Sequence, residues 1–441
     1  MMKAIRVIGA GLAGSEAALT LAKLGAKVIL IDMKPESFTP AHHQPGYAEL
    51  VCSNSFKSKQ VHTAPGLQKA ELGLLGSSLL DVAYRHAVPA GAALAVDRER
   101  FSEDVTNLLR NSANIELRQE EVHSLPDDDL LTIVATGPLT QGSLFADIQQ
   151  RLSRPTLHFF DAAAPIVAGD SIDMSIAFRQ SRYDKGSADY INCPFTKEEY
   201  ERFYEALITA ELAEVEGFDK EILFEGCMPV ESMAKRGPDT LRFGPLKPVG
   251  LTSPHSTARP YAVVQLRMED EYASMYNLVG FQTRLKFPEQ NRVFCMIPGL
   301  QNAEFLRYGV MHRNSYISSA GELSSSFRLL SDSRYFFAGQ ITGLEGYLAA
   351  IASGHLAALN AFLANSGQEA DFVLPPETIN GQLSRYVSRG GDRDFQPMNA
   401  NFGLLPPLNE RKRNKQERGK QLAERSIDSL KVYLAERNKS V

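Results

Sequence analysis

Cysteine is scarce in this chain and never paired. Cys52, Cys193, Cys227 and Cys295 are the only four in 441 residues, and none stands in a Cys-x-x-Cys motif. That spacing argues against a zinc site, a dithiol redox centre and a secreted disulfide framework. No metal site is expected. Long apolar runs are also lacking: no stretch reads as the roughly 18–20 uncharged apolar residues that cross a bilayer. The N-terminal apolar residues break at Gly9-Ala10-Gly11 and pass straight into an amphipathic helix, so a secretory leader is not expected and the cytoplasm is the expected location. Nor is there an excess of positive charge. The net charge is −5, so any nucleic-acid contact must come from a local basic surface. No internal repeat is visible, and no obligate protein partner is evident. What remains is ordinary globular composition, 44% hydrophobic and 22% charged, in a chain long enough for two or three domains.

What is present begins with a short apolar run over 4–8 that ends in Gly9-Ala10-Gly11-Leu12-Ala13-Gly14. Ala17, Ala18, Leu21 and Ala22 then fall on one helical face, and a second apolar run over 27–31 ends at Asp32. The pattern predicts strand, glycine turn, helix and strand, one βαβ unit. Gly9-x-Gly11-x-x-Gly14 stands between strand and helix, where a dinucleotide fingerprint belongs. Gly9 makes the tight turn, Gly11 lets the backbone approach a pyrophosphate, and Gly14 lets the helix pack on the strand. The pyrophosphate rests on the positive end of the helix, with Ala10, Leu12 and Ala13 in the same turn. Asp32 follows at about the 20-residue spacing that lets an acid hold an adenosine ribose hydroxyl.

The long segment after Asp32 is poor in periodicity and rich in Pro, Gly, Ser and His. It contains Pro40-Ala41-His42-His43 and Val51-Cys52-Ser53-Asn54-Ser55. A segment of that length without clear elements points to function. A helix is expected over 98–109, then a strand over 130–135 that leads into Thr136-Gly137-Pro138. From 163 to 328 short strands and helices alternate irregularly, with one helix near 197–212. At Tyr335-Phe336-Phe337-Ala338 a strand meets Gly339, Gly343 and Gly346, followed by a small-residue helix over 347–362. This return of strand, glycine and helix predicts that the chain re-enters its first domain.

The expected fold is therefore α/β. A Rossmann-type domain occupies 1–162, an inserted α+β domain 163–328, a return segment 329–365 and a C-terminal segment 366–441 that bears a basic run and an amphipathic helix. The late glycine turn favours FAD over NAD, because an extended dinucleotide carrying a flavin needs a second contact far along the chain. A strand ending in Thr136-Gly137 is common in two-dinucleotide flavoproteins, the superfamily that this arrangement resembles.

Longer blocks carry a closer resemblance. They are Gly9-Ala10-Gly11-Leu12-Ala13-Gly14-Ser15-Glu16, Pro40-Ala41-His42-His43, Glu49-Leu50-Val51-Cys52-Ser53-Asn54-Ser55 and Phe224-Glu225-Gly226-Cys227-Met228-Pro229-Val230-Glu231. They continue through 239–251 (Asp239 to Leu251), 307–314 (Arg307 to Asn314), Ala338-Gly339-Gln340-Ile341-Thr342-Gly343 and 401–408. From end to end the chain resembles the folate- and FAD-dependent tRNA uracil-5-methyltransferase family (TrmFO), GidA-like flavoproteins. The resemblance implies FAD as cofactor, 5,10-methylenetetrahydrofolate and NADPH or NADH as co-substrates, and ribothymidine formation at position 54 of the tRNA T loop. It also implies that Cys52 and Cys227 are the catalytic pair, one the nucleophile and the other the acid/base or reductive partner. Their individual roles stay open.

The residue types suit that chemistry. Uracil C5 is a poor nucleophile until a thiolate adds to C6, after which C5 can attack an electrophilic methylene, a base removes the C5 proton and the thiolate leaves. The exocyclic methylene then needs two electrons, which reduced flavin supplies as hydride. Cys193 and Cys295 lie in apolar contexts and read as packing residues. Two departures from the family are visible. Asp32 stands where glutamate is usual, and Leu348-Ala349-Ala350-Ile351 lacks an acid often found there.

A pterin seeks a flat face and a folate tail seeks cations. His312 with Arg313, and Arg284 with Lys286, supply those types, although relatives often differ at the position of Arg284. For RNA, Arg411-Lys412-Arg413 opens the densest basic run, which can neutralise phosphates without reading bases. Three alternatives remain at this point: the same chemistry on a ribosomal-RNA uridine, a wobble-uridine enzyme of the GidA/MnmG type, which shares Ala338-Gly339-Gln340, and a non-enzymatic Rossmann scaffold.

Overall fold

A computed structural model describes residues 3–39, 41–184, 187–214, 228–389, 395–409 and 414–439. At its centre β1 (Ile5–Ile8) is buried throughout, and α1 (Leu12–Lys23) follows and leads to β2 (Val28–Asp32). The sheet has five strands in the order 335–337, 132–134, β1, β2, 115–119, and every pairing is parallel. Parallel strands covered on both faces must be apolar throughout, and Ile5, Val7 and Ile8 meet that condition. Arg6 is the exception, and Asp128 and Thr132 engage its guanidinium.

Helix α1 packs along the helix Tyr347–Asn365, whose Gly354 lies against the Ala13 backbone. This second helix corrects one expectation from the sequence. With mean hydropathy 1.4 over 18 residues it is long and apolar enough to cross a membrane, yet 72% of that stretch is buried inside the fold. It is apolar on all sides because protein surrounds it.

The segment after Asp32 is also more ordered than its pattern implied. It contains the helices Ala64–Leu75 and Ser78–Arg85 and three short strands. The first helix has weak internal propensity, with Gly66 and Gly73 inside it, but strong ends. The Thr63 side chain accepts Gly66 N–H, Pro65 stands in the first turn, and Gly76 closes the helix in the left-handed conformation. Caps and tertiary packing outweigh propensity here.

A second core gathers under a six-stranded antiparallel sheet built from residues 166–307, in the order 178–179, 190–195, 262–268, 275–278, 166–168, 305–307. A two-stranded antiparallel ribbon, Thr156–Ala162 with Met311–Ile317, carries the chain out of the first sheet and back. The C-terminal helices are tied to the first core by Glu71. Its buried carboxylate accepts N–H bonds from Ile379 and Asn380 and the hydroxyl of Ser426.

Candidate active site

The fingerprint turn is shaped by close contacts. Gly9 has φ +95°, and a Cβ on it would lie 2.6 Å from Ala135 O; a Cβ on Gly14 would overlap Gly9 O. A Cβ on Gly11 would meet no protein atom within 4 Å. Gly11 therefore opens into a cleft, and it precedes the helix with no side chain capping the first turn. The uncapped N–H groups at that end are free to donate to an anion. Asp32, at the end of β2, accepts Ala10 N–H at 2.6 Å and Lys34 N–H at 2.9 Å, and it lines the same cleft.

The cavity has a volume of about 310 Å3. One wall holds Gly9, Ala10, Gly11, Leu12, Ala13 and Asp32; Thr136, Gly137, Gly339 and Gly346 complete the groove, and Cys52 lies within it. A cleft with a helix N-terminus, an acid at a strand end and several glycines in its lining fits FAD. Gly14 and Gly343 are not part of the lining. Gly14 serves the helix–strand contact, and Gly343 faces the rings of Phe395 and Tyr316.

The loop that bears Cys52 is held on every side. Leu50 O accepts from Arg98 at 2.9 Å and Val51 O from Arg307 at 2.9 Å. The N–H groups of Cys52 and Ser53 both donate to the hydroxyl of Tyr347, at 3.0 and 3.1 Å. Asn54 is buried, with its amide on Val96 O and Met268 O, and Arg267 donates to its Oδ1. The Cys52 thiol lies 3.8 Å from Ala162 O. Arg98 is paired with Glu269, whose side chain is fully buried, at 2.6 Å. Burial opposes the charge on Arg98, but Glu269 outweighs it and holds the guanidinium above its usual pKa. Strand ends of the second sheet thus clamp a loop of the first domain.

Glu345 and Asp161 face the same cavity. Burial, and then the charge of Asp161, push the Glu345 carboxyl up to about 7, although Gln340 donates to it at 2.8 Å. Burial likewise raises the Tyr347 phenol, with the charge of Cys52 second.

The other residues singled out from sequence are scattered. Lys286 is exposed and paired with Glu211 at 2.8 Å, outside the cleft lining. Arg284 is half-buried, and its N–H donates to Glu231. Arg313 is exposed, whereas its neighbour Asn314 lines the cavity together with Gln282. The backbone of His312 pairs with Asp161 across the ribbon; its side chain lies outside what is described. Cys227, Arg411, Lys412 and Arg413 also lie outside the described residues. Cys193 is buried, which pushes its thiol up to about 12, and Cys295 is raised by burial as well.

Sequence reasoning missed Arg98, Arg307, Tyr347, Asp161 and Glu345. Arg307 opens the 307–314 block and Glu345 and Tyr347 flank the last of the late glycines, Gly346, so those positions carried a signal. Arg98 ends Ala95-Val96-Asp97-Arg98, another block that carries the resemblance, and it opens the expected helix over 98–109, but no role in the site was read from either.

Residues 4–369 match the family model described as glucose inhibited division protein A. A methylenetetrahydrofolate--tRNA-(uracil-5-)-methyltransferase TrmFO of Acetivibrio thermocellus is 54% identical over 99% of both chains. Its namesake from Brevibacillus brevis is 50% identical over 98% of this chain and 99% of its own. Among solved structures, GidA of Aquifex aeolicus superposes with a TM-score of 0.68 at 18% identity, covering 99% of this chain and 79% of that one, and so shares the fold.

Proposed function

We infer, from the premise that this chain belongs to the glucose inhibited division protein A family and within it to the TrmFO methyltransferases, that it methylates C5 of a uridine in the tRNA T loop. The carbon comes from 5,10-methylenetetrahydrofolate and the electrons from NADPH or NADH by way of FAD, in the cytoplasm. The observation that carries this reading is that Cys52 lies in the same cavity as the dinucleotide fingerprint. A methyl transfer that needs both a thiol and a hydride requires that proximity.

The fingerprint turn and Asp32 would hold the adenosine diphosphate half of FAD, and Thr136, Gly137, Gly339 and Gly346 its extended remainder. Bound FAD supplies the two electrons that convert a methylene to a methyl. The protein's own part is to orient and to manage protons. Arg98, Arg307 and Tyr347 hold the backbone on both sides of Cys52, which keeps the thiol facing the cavity. With Cys227, Cys52 forms the pair that adds to C6 and serves proton transfer at C5. A carboxyl at Glu345 that titrates near neutrality is suited to hold a proton beside the reacting centre. The uridine must leave its stack to reach this cleft.

The test incubates purified protein with folate and NADPH and with either unmodified tRNA or ribosomal-RNA fragments. Methylation of the T-loop uridine is expected, together with loss of activity in Cys52→Ala. Methylation of ribosomal RNA alone would replace the target, and a colourless protein without flavin absorbance would remove the reading altogether.

A further inference from the structure

The segment 228–250 leaves the cleft and forms an exposed ridge that the chemistry above does not use. Both of its ends are anchored beside the cavity. Val230 N–H donates to the carbonyl of Gln282, a cavity residue, at 2.7 Å. Pro245 Cβ lies 2.6 Å from where a side chain on Gly280 would begin, so the far turn packs next to the same stretch of chain.

Between these anchors apolar and basic groups stand in solvent. Phe243 is 79% exposed, and Val249 in the same segment and Tyr183, which packs against Gly250, are half or more than half exposed. The segment holds four cations and two carboxylates. Glu231 is buried and bonded to Thr283 and to Arg284 N–H. Asp239 is taken by Arg242, which also lies 3.6 Å over the Tyr261 ring. Lys235, Arg236 and Lys247 remain exposed, and none of them forms an ion pair among the described residues.

The exposure is not a consequence of looseness. Arg182 donates to Lys247 O and to Val249 O, Tyr183 N–H to Gly250 O at 2.8 Å, and Leu246 N–H to Leu241 O at 2.9 Å. Val263 N–H, from the second sheet, donates to Leu246 O at 3.0 Å. A rigid turn that shows an aromatic ring to water marks an interaction surface. Unpaired cations on the same short segment as such a ring match single-stranded nucleic acid, whose phosphates take the charges and whose bases take the π-face. The chain as a whole is acidic, so this local sign is what an RNA would find.

We propose that the ridge of Lys235, Arg236, Phe243 and Lys247, with Tyr183 beside it, docks unpaired nucleotides of the RNA substrate and leads the target base toward the cavity. The proposal rests on the reading of the chain as an RNA methyltransferase and adds the surface that receives the RNA.

The test uses flavin-loaded protein and unmodified tRNA over a range of KCl concentrations, comparing the parent with K235A/R236A/K247A and with F243A. The triple variant should raise the tRNA KM by about tenfold and flatten the slope of log KM against log salt by about two to three. F243A should raise KM several-fold and leave the slope intact. The folate KM, flavin content, reduction by NADPH and Tm should not move in either variant. Unchanged KM and slope in both variants, with an active parent, would overturn the surface. So would a parent dimer that F243A dissociates without any effect on the tRNA KM. A parent that methylates no RNA removes the functional reading instead, and filter binding of tRNA to the same three proteins then decides the surface by the same salt slopes.

Discussion

The hydroxyl of Tyr347 accepts the backbone N–H of Cys52 at 3.0 Å, joining residues 295 positions apart. The same oxygen accepts Ser53 N–H, so both acceptor directions are filled and the phenolic proton is left to donate elsewhere. Burial keeps that phenol protonated well above neutral pH. Tyr347→Phe leaves two N–H groups without a partner, at a cost of about 1–3 kcal/mol in stability. Methylation kcat should fall by about tenfold or more, with flavin content unchanged. Denaturant melts and single-turnover methylation measure both, and a full-rate variant would show that the phenol does not position Cys52.

Arg98 and Glu269 form a buried pair between the start of the helix Arg98–Arg110 and the end of a strand of the second sheet. Removing one member strands the other. Arg98→Met or Glu269→Gln should each cost about 3–5 kcal/mol, whereas R98M together with an apolar replacement of Glu269 should recover much of the loss. Equilibrium unfolding of the single and double variants gives the coupling. Additive effects would mean that the pair acts through separate contacts.

Gly11 and Gly14 separate binding from folding. A methyl at Gly11 meets no protein atom, so Gly11→Ala should fold normally and purify with little flavin. A methyl at Gly14 overlaps Gly9 O, so Gly14→Ala should lower Tm as well as flavin content. Absorbance per polypeptide and calorimetry distinguish the two. Full flavin occupancy in Gly11→Ala would place the pyrophosphate elsewhere.

Glu345 carries a pH signature. Its folded pKa, about 7, lies above the ordinary carboxylate value of 4.5. The folded state therefore binds the proton more tightly, and the stability this adds is fully present below the ordinary value and is lost as pH rises through 7. Glu345→Gln does not titrate. The Tm of the variant relative to the parent should increase between pH 4.5 and 7 and then level off. A Tm difference independent of pH would place the Glu345 carboxyl in contact with solvent.

Much of the cofactor cleft was legible because its signals are local. A tight turn, a close helix–strand contact and a strand-end acid each leave a residue type at a set spacing, so the places of Gly9, Gly11, Gly14 and Asp32 in the turn and at the strand end could be read. Gly343 shows where such reading stops. It belongs to the late glycine block but makes room for the Phe395 ring rather than lining the cavity. Lys286 and Arg313 had suitable chemistry for a folate tail. Pairing with Glu211 occupies the first, and the second is exposed on the ribbon.

The sequence by itself determined the βαβ unit, the return of the chain to its first sheet and the cysteine loop as a place of interest, because each depends on neighbours within a few turns of chain. Only the tertiary structure decided what surrounds Cys52. Arg98, Glu269, Arg307 and Tyr347 come from four separate stretches and meet because buried polar groups must find partners. That requirement acts through space and leaves no periodic trace along the chain.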